Sequence, residues 1–225
     1  MPPDRYYTTQ LSGERLRQCY DIAPPRVKQY LEAEIEHVLS QIDSSHLVLE
    51  LGCGYGRVLE RLAQKARKVV GIDTSWASLR LARERLAQLS HCFLLQMDAA
   101  CLGFADRSFD RVVCIQNGIS AFKVDPKELL RESLRITRVG GRVLFSSYSE
   151  KFWKDRLEWF VRQAEAGLIG EIDWGLTRDG VIVCRDGFRA TTYGPADFLA
   201  LLPGPQREIT LQEVDESSLF FEVLI

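Results

Sequence analysis

Apolar residues recur along this chain with two alternating periods, and their alternation sets the expected elements. Val27, Tyr30, Leu31, Ile35, Val38, Leu39 and Ile42 fall at helical spacing, with Glu34 the one polar interruption, and Pro24-Pro25 stands where a helix can begin. LVLEL (47–51) changes to the continuous apolar character of a buried strand and runs into glycines at 52, 54 and 56. Val58, Leu59, Leu62, Ala63 and Ala66 then resume the helical period over about three turns. KVVGID (68–73) is a second, β-branched strand, and 75–89 a helix with Leu79, Ala82, Leu86 and Leu89 on one face. CFLLQMD (92–98) and RVVCIQN (111–117) give strands three and four. In DPKELLRESLRIT (125–137), Asp125 is the expected N-cap, Pro126 the first helical residue and Glu128 the capping-box acid. Gly140-Gly141 is expected to end that helix, and GRVLFSSY (141–148) to be the fifth strand.

The last third is less regular. Residues 149–166 are amphipathic, with a stripe of Trp153, Leu157, Phe160, Val161 and Ala164. Residues 173–193 alternate or run apolar between Asp-Gly pairs at 179–180 and 186–187, the signal of hairpins. Pro195 opens a short helix to Leu202, and two strand-like segments close the chain. A helix followed by strands separated by helices or turns is the α/β doubly wound, Rossmann-like pattern.

A chain of 225 residues suits one domain with a modest insertion. The expected division of a single domain 1–225 is an N-terminal arm and helix (1–45), a ligand-binding core (46–148), a substrate-side insertion (149–205) and a terminal strand pair (206–225). A net charge of −2 gives no global attraction to nucleic acid. The cysteines at 19, 53, 92, 101, 114 and 184 form no C-x-x-C pair, which suits reduced thiols in a cytoplasmic protein and no metal site. No leader and no membrane-length apolar run is seen, so a soluble intracellular protein is expected.

The chemistry centres on 47–57. Its glycines read G-x-G-x-G, with Arg57 where a dinucleotide fingerprint has its third glycine, and Glu50 precedes the first. A pyrophosphate wants bare N–H groups and no anion nearby, whereas a carboxylate at a strand tip suits an ammonium or sulfonium. Asp73 lies roughly 20 residues past the first glycine, where a ribose-binding acid belongs, and can accept from two hydroxyls. The plainer alternative is that Asp73 or Thr74 caps the next helix. Asp98, with Ala99, exits strand three where an acid can accept from an adenine amino group. Gln116 and Asn117 end strand four, beside the switch point where open α/β sheets bind ligands.

Over 47–148 the chain resembles the class I S-adenosylmethionine-dependent methyltransferases, of the type 11/25 kind. The likeness rests on ELGCGYG, Asp73 after VVGI, Asp98 after LLQM, and FDRVVCIQN. TRVGGRVLFS matches the family's turn before strand five, with Val139 where proline is usual. The resemblance implies a seven-stranded sheet of order 3-2-1-4-5-7-6 with helices on both faces; the family sheet does not need the Asp-Gly hairpins, which read as a β-hairpin insertion before the terminal strand pair, placed to roof the substrate pocket. The resemblance also implies S-adenosyl-L-methionine as cofactor, held by Glu50, Gly52, Cys53, Gly54, Gly56, Arg57, Asp73, Thr74, Asp98, Ala99 and Gln116.

The implied reaction is direct methyl transfer to a nucleophile. The donor is already activated, so alignment in a dry pocket suffices and a base is needed only for a protonated acceptor. Accordingly no catalytic residue stands out, and His37, His46 and His91 are poor candidates. Tyr6, Tyr7, Tyr20, Arg26 and Asn117 are the substrate-side candidates. A small-molecule acceptor comes first, with a monomer or homodimer and no membrane partner. A tRNA or protein acceptor is the alternative, although no asparagine-proline-proline-aromatic motif follows strand four. A non-catalytic S-adenosylmethionine-binding regulator is a further alternative. A nicotinamide-dependent oxidoreductase is disfavoured by Glu50, Arg57 and Asp98.

Overall fold

The computed structural model describes residues 6–202, 204 and 208–225. Residues 1–5 of the arm, and 203 and 205–207 at the junction of insertion and terminal strand pair, lie outside the described residues. The chain runs α1 (Tyr6–Thr9), α2 (Glu14–Asp21), α3 (Pro25–Ser40), β1 (Leu47–Leu51), α4 (Arg57–Ala63), β2 (Lys68–Asp73), α5 (Trp76–Arg85) and β3 (Cys92–Gln96). It continues through β4 (Phe109–Cys114), α6 (Gly118–Ala121), α7 (Pro126–Ile136), β5 (Thr137–Tyr148), α8 (Trp153–Glu165), β6 (Ile182–Val183) and β7 (Arg189–Ala190). It closes with α9 (Pro195–Leu199), β8 (Glu208–Val214) and β9 (Ser218–Leu224).

The main sheet has seven strands in the order β3-β2-β1-β4-β5-β9-β8. With β6 and β7 set aside as the separate hairpin, this is the order expected. The first five strands are parallel, and β9 pairs antiparallel with both β5 and β8. Alternate side chains supply the two faces. Leu49, Val112, Val143 and Phe145 join Leu129, Leu130 and Phe198 under α7 and α9. Val48, Val113 and Leu144 join Ile35, Val38, Leu59 and Leu62 under α3 and α4. A third apolar cluster ties α2 and the start of α3 to α8 and the hairpin through Cys19, Val27, Trp159, Ile182 and Phe188. Among the described residues, no helix is long and apolar enough to cross a membrane.

Three local expectations are corrected. Gly140-Gly141 does not end α7, which stops at Ile136, where the Thr137 hydroxyl donates to Ser133 O (2.7 Å). The glycines instead lie inside β5: Gly140 N–H donates to Ile225 O (2.7 Å), and Gly141 lets three backbones converge. The expected strand four also ends early, at Cys114, leaving Gln116 and Asn117 with left-handed φ values of 57° and 60°. On α8 the buried face is Arg156, Trp159, Phe160 and Gln163 rather than the purely apolar stripe, because the hairpin packs against it and offers partners for polar groups.

A Cβ added at Gly141 would stand 2.8 Å from Asp110 O and 2.9 Å from Arg138 O, backbone atoms that have no rotamer to change. Gly141→Ala is therefore expected to destabilise the fold by about 1–3 kcal/mol. Denaturant melts of the two proteins check this.

Candidate functional site

The parallel strands deliver their carboxyl ends to one side of the sheet, and a cavity of ≈ 510 Å³ opens there. Glu50, Gly52, Cys53, Gly54, Arg57, Asp73, Thr74, Asp98, Ala99 and Gln116 all line it. The glycine turn lets backbone form the floor. Gly52 has φ +70°, and a Cβ there would stand 2.7 Å from Phe122 Cζ, so α6 sits directly on the turn. Gly54 has φ +52°, and its N–H donates to Asp73 Oδ2 (2.9 Å). Asp73 Oδ1 accepts from Ser75 N–H (2.7 Å), so the carboxylate is aimed by backbone groups on either side. Neither Asp73 nor Thr74 caps α5; Ser75 does, accepting from Ser78 N–H. Thr74 instead shares a hydroxyl hydrogen bond with Thr8 of the arm (2.9 Å).

Glu50 is 4% exposed, and its Oε2 has no hydrogen-bond partner among the described residues. Burial pushes its carboxyl up to about 8; Asp73 adds to the shift and Arg57 opposes it. Burial likewise raises Asp73, against N–H donors from Ser75, Gly54 and Thr74. Arg57 donates to Gln116 Oε1 (2.7 Å) and lies over the Tyr20 ring, 4.8 Å from its centre. Gln116 Nε2 is buried without a partner among the described residues. Gln116 N–H is fixed from behind by Glu34 Oε2 (2.6 Å) and Ser146 Oγ (2.9 Å). Burial raises Glu34 to about 7, although the hydroxyls of Ser218 and Ser146 and the Gln116 N–H favour its ionised form. Asp98 is exposed and turns onto Ala100 N–H (2.8 Å), while Ala99 is buried beside it.

Gly56 does not line the cavity. Its bare Cα lets α4 close on α5, since a Cβ would stand 3.1 Å from Leu86 and 3.2 Å from Ala82.

The substrate-side candidates divide. Tyr7 and Tyr20 line the cavity from α1 and α2. Asn117 lines it too, but its side chain is engaged at both ends, donating to Thr191 O (3.0 Å) and accepting from Ser147 Oγ (2.8 Å). Tyr6 turns away: its hydroxyl donates to Asp186 (2.6 Å) and its ring meets Phe188 edge-on. Arg26 also points elsewhere, donating to the Asp215 carboxylate and carbonyl at the β8–β9 turn and lying over Phe152. Its carboxylate partner is 189 residues away, beyond any local signal.

Tyr30, Tyr148, Trp159 and Phe160 also wall the cavity. In the sequence Tyr30 and Phe160 read as core positions at helical spacing, and nothing local marks any of the four as facing a ligand. The arm roofs this end: Gly13 N–H donates to Ser78 Oγ (2.9 Å) and the Arg15 guanidinium to the carbonyls of Gly167 (2.7 Å) and Leu168 (2.8 Å).

A family profile described as "Methyltransferase domain" matches residues 48–141. The chain is 31% identical to a 2-phytyl-1,4-naphtoquinone methyltransferase of Thermosynechococcus vestitus, over 72% of this chain and 77% of that protein. Matches to the first curated relatives cover 45%, 39% and 44% of those proteins, so the chain spans less than half their length. The PH0226 protein from Pyrococcus horikoshii superposes with a TM-score of 0.69 at 20% identity, covering 98% of each chain. The N-methyltransferase NodS from Bradyrhizobium japonicum, solved with S-adenosyl-L-homocysteine, superposes with a TM-score of 0.61 at 18% identity, covering 95% of this chain and 93% of that one.

Glu50 supplies a pH test. Between its ordinary value of 4.5 and about 8, the folded state keeps a proton that the unfolded chain has lost. Its contribution to stability is therefore lost as pH rises through that window. Glu50→Gln is expected to flatten the fall in unfolding free energy between about pH 5 and pH 8 by roughly 3 kcal/mol, with Glu34 keeping part of the slope. Urea melts at the two pH values measure it.

Proposed function

The chain belongs to the class I S-adenosylmethionine-dependent methyltransferases, and on that premise we propose that it transfers a methyl group from S-adenosyl-L-methionine directly to a nucleophile on a small molecule. The observation that carries this reading is the convergence of Glu50, Asp73 and Asp98, from the exits of three neighbouring strands, on one cavity floored by a glycine turn. The donor set suits the cofactor part by part. Asp73 is aimed by the Gly54 and Ser75 N–H groups, one toward each oxygen, and its carboxylate can accept from the two ribose hydroxyls. Asp98 and the backbone at Ala99 would meet adenine. The unpartnered Glu50 Oε2 and Gln116 Nε2 would serve the charged amino-acid end, where a buried carboxylate gains from a cation.

When bound, the cofactor supplies a methyl group already activated on a sulfonium. The residues then have only to align and to exclude water. The apolar wall from α1, α2 and α8 and the roofing arm serve that purpose. Relatives at comparable identity are named for small-molecule methylation, the phytyl-naphtoquinone enzyme among them, which supports a small-molecule acceptor. The free cysteines accord with a reducing cytoplasm, where the protein would act as a monomer or homodimer.

Asp73→Ala and Gly54→Val are each expected to weaken S-adenosylhomocysteine binding by ~1–3 kcal/mol or more, the first through lost hydrogen bonds to the ribose and the second by obstruction. A Cβ at Gly54 would stand 3.2 Å from Leu16 Cδ2 at φ +52°. Calorimetric titration of folded variants measures both. Unchanged affinity in the two, or NADH binding more tightly than S-adenosylhomocysteine, would overturn the proposal.

A further inference from the structure

Beyond the donor-binding end, the cavity is walled by the rings of Tyr7, Tyr20, Tyr148, Trp159 and Phe160. The charged residues that line it, Glu50, Arg57, Asp73 and Asp98, come from the exits of β1, β2 and β3 and the start of α4. Among the described residues, the arm and α8 add no charged side chain to the lining, and Arg156 lies over the Tyr148 ring without reaching it. An ion held at this end would be buried with no counter-charge, so the walls suit a neutral molecule. Rings on several sides suit a flat one, since arenes gain from stacked and edge-on contacts beyond the burial itself.

Gln163 supplies the polar group. It sits on α8 one turn beyond Trp159 and Phe160, lines the cavity and is 2% exposed. Its main-chain carbonyl accepts from Leu168 N–H (2.9 Å), but its side-chain carboxamide makes no hydrogen bond among the described residues. Neither Oε1 nor Nε2 is sealed inside the protein, so the little surface that the residue keeps includes both ends of the amide. The neighbouring polar groups are committed elsewhere or wet. Trp159 Nε1 donates to Cys19 O (2.8 Å), Thr8 pairs with Thr74, and the Tyr148 hydroxyl is engaged by Tyr30 and Arg156. Tyr7 and Tyr20 are partly exposed, where water can serve their hydroxyls.

A carboxamide holds two donors and two lone pairs in one plane. In a site that a ligand has dried, both of its ends need partners, because an unmade hydrogen bond there costs the desolvation of the group. An ammonium would answer only the oxygen and a carboxylate only the nitrogen. A donor and an acceptor side by side on one edge answer both.

From this geometry we infer that the aromatic end of the cavity binds a neutral, planar methyl acceptor by an edge that carries a hydrogen-bond donor beside an acceptor, the edge of a lactam, and that Gln163 reads that edge. The inference rests on the methyltransferase reading and adds to it the acceptor's chemical class and a residue that determines specificity.

The test uses the S-adenosylhomocysteine-loaded protein and four probes built on the same pair of fused rings. They are 2-quinolone, with N–H beside C=O; quinoline, which only accepts; naphthalene; and the anion 2-naphthoate. Calorimetry is expected to show 2-quinolone bound roughly tenfold or more tighter than naphthalene, with quinoline between them and the anion weakest, because a site built to hydrogen-bond a group rejects the analogue that lacks it. Gln163→Leu is expected to abolish the advantage of 2-quinolone over naphthalene while leaving the affinities for S-adenosylhomocysteine and naphthalene as they were. Gln163→Met, unbranched like glutamine, gives the same readout should the leucine variant fail to fold. Equal binding of 2-quinolone and naphthalene, tightest binding of the anion, or an advantage of 2-quinolone that survives either substitution would overturn the inference. So would a protein that binds S-adenosylhomocysteine and none of the four probes, with the methyltransferase reading left standing. A protein that fails to bind S-adenosylhomocysteine would overturn that reading, and this inference with it.

Discussion

A single carboxylate sunk in the protein, Glu34, holds the site's framework together. It is 0% exposed, and hydrogen bonds, together with the charge of Arg57, offset its burial. Those bonds reach Gln116 N–H just past β4 and the Ser218 hydroxyl at the start of β9, while Ser146 of β5 shares the same Gln116 N–H. Helix α3 is thereby keyed to the ends of three strands. The left-handed turn at Gln116 and Asn117 needs such a clamp, since neither residue adopts φ near +60° without local cost. Behind Glu34 on the same helix, Tyr30 is placed against the cavity by the same register.

The cavity divides into ends of opposite electrical character. Carboxylates gather where the strands exit, and burial makes Glu50 and Asp73 reluctant to ionise without a positive partner. The aromatic end has Arg156 behind it, held by carbonyls and a hydroxyl rather than by an acid. A cofactor carrying a sulfonium suits the first end.

The fold was legible because its signals are local. The change from strand pattern to glycine turn to helical period announces each βα unit within about a dozen residues, and the cavity-lining carboxylates follow from being at strand exits. Gly140-Gly141 misled because a glycine pair after a helix ordinarily terminates it. Here the need came from the Asp110 carbonyl and from Ile225, distant in sequence. Arg156 could not be recognised as buried, since amphipathic patterning assigns charge to solvent and its partners lie in the hairpin insertion. Arg26 and Tyr6 were plausible ligand-facing groups until their own acidic partners, Asp215 and Asp186, came within reach through folding. The aromatic wall of the cavity is assembled from α1, α2, α3, β5 and α8, so no single segment carries its signature.

The position of β9 between β5 and β8 has a consequence for assembly. Strand β8 precedes β9 in the chain yet touches the sheet only through it, so β8 has no place to dock until the later strand has been laid down. The turn joining them also locks α3, through Asp215 to Arg26 and Gln29 and through Ser218 to Glu34, contacts spanning 184 to 189 residues. Contacts so remote form slowly, because loop closure precedes their reward. Helix α3 therefore waits for a strand 184 residues further along the chain before the Glu34 carboxyl meets all of its partners. The parallel core can gather first, and the aromatic wall that leans on α3 is completed only as the β8–β9 pair arrives.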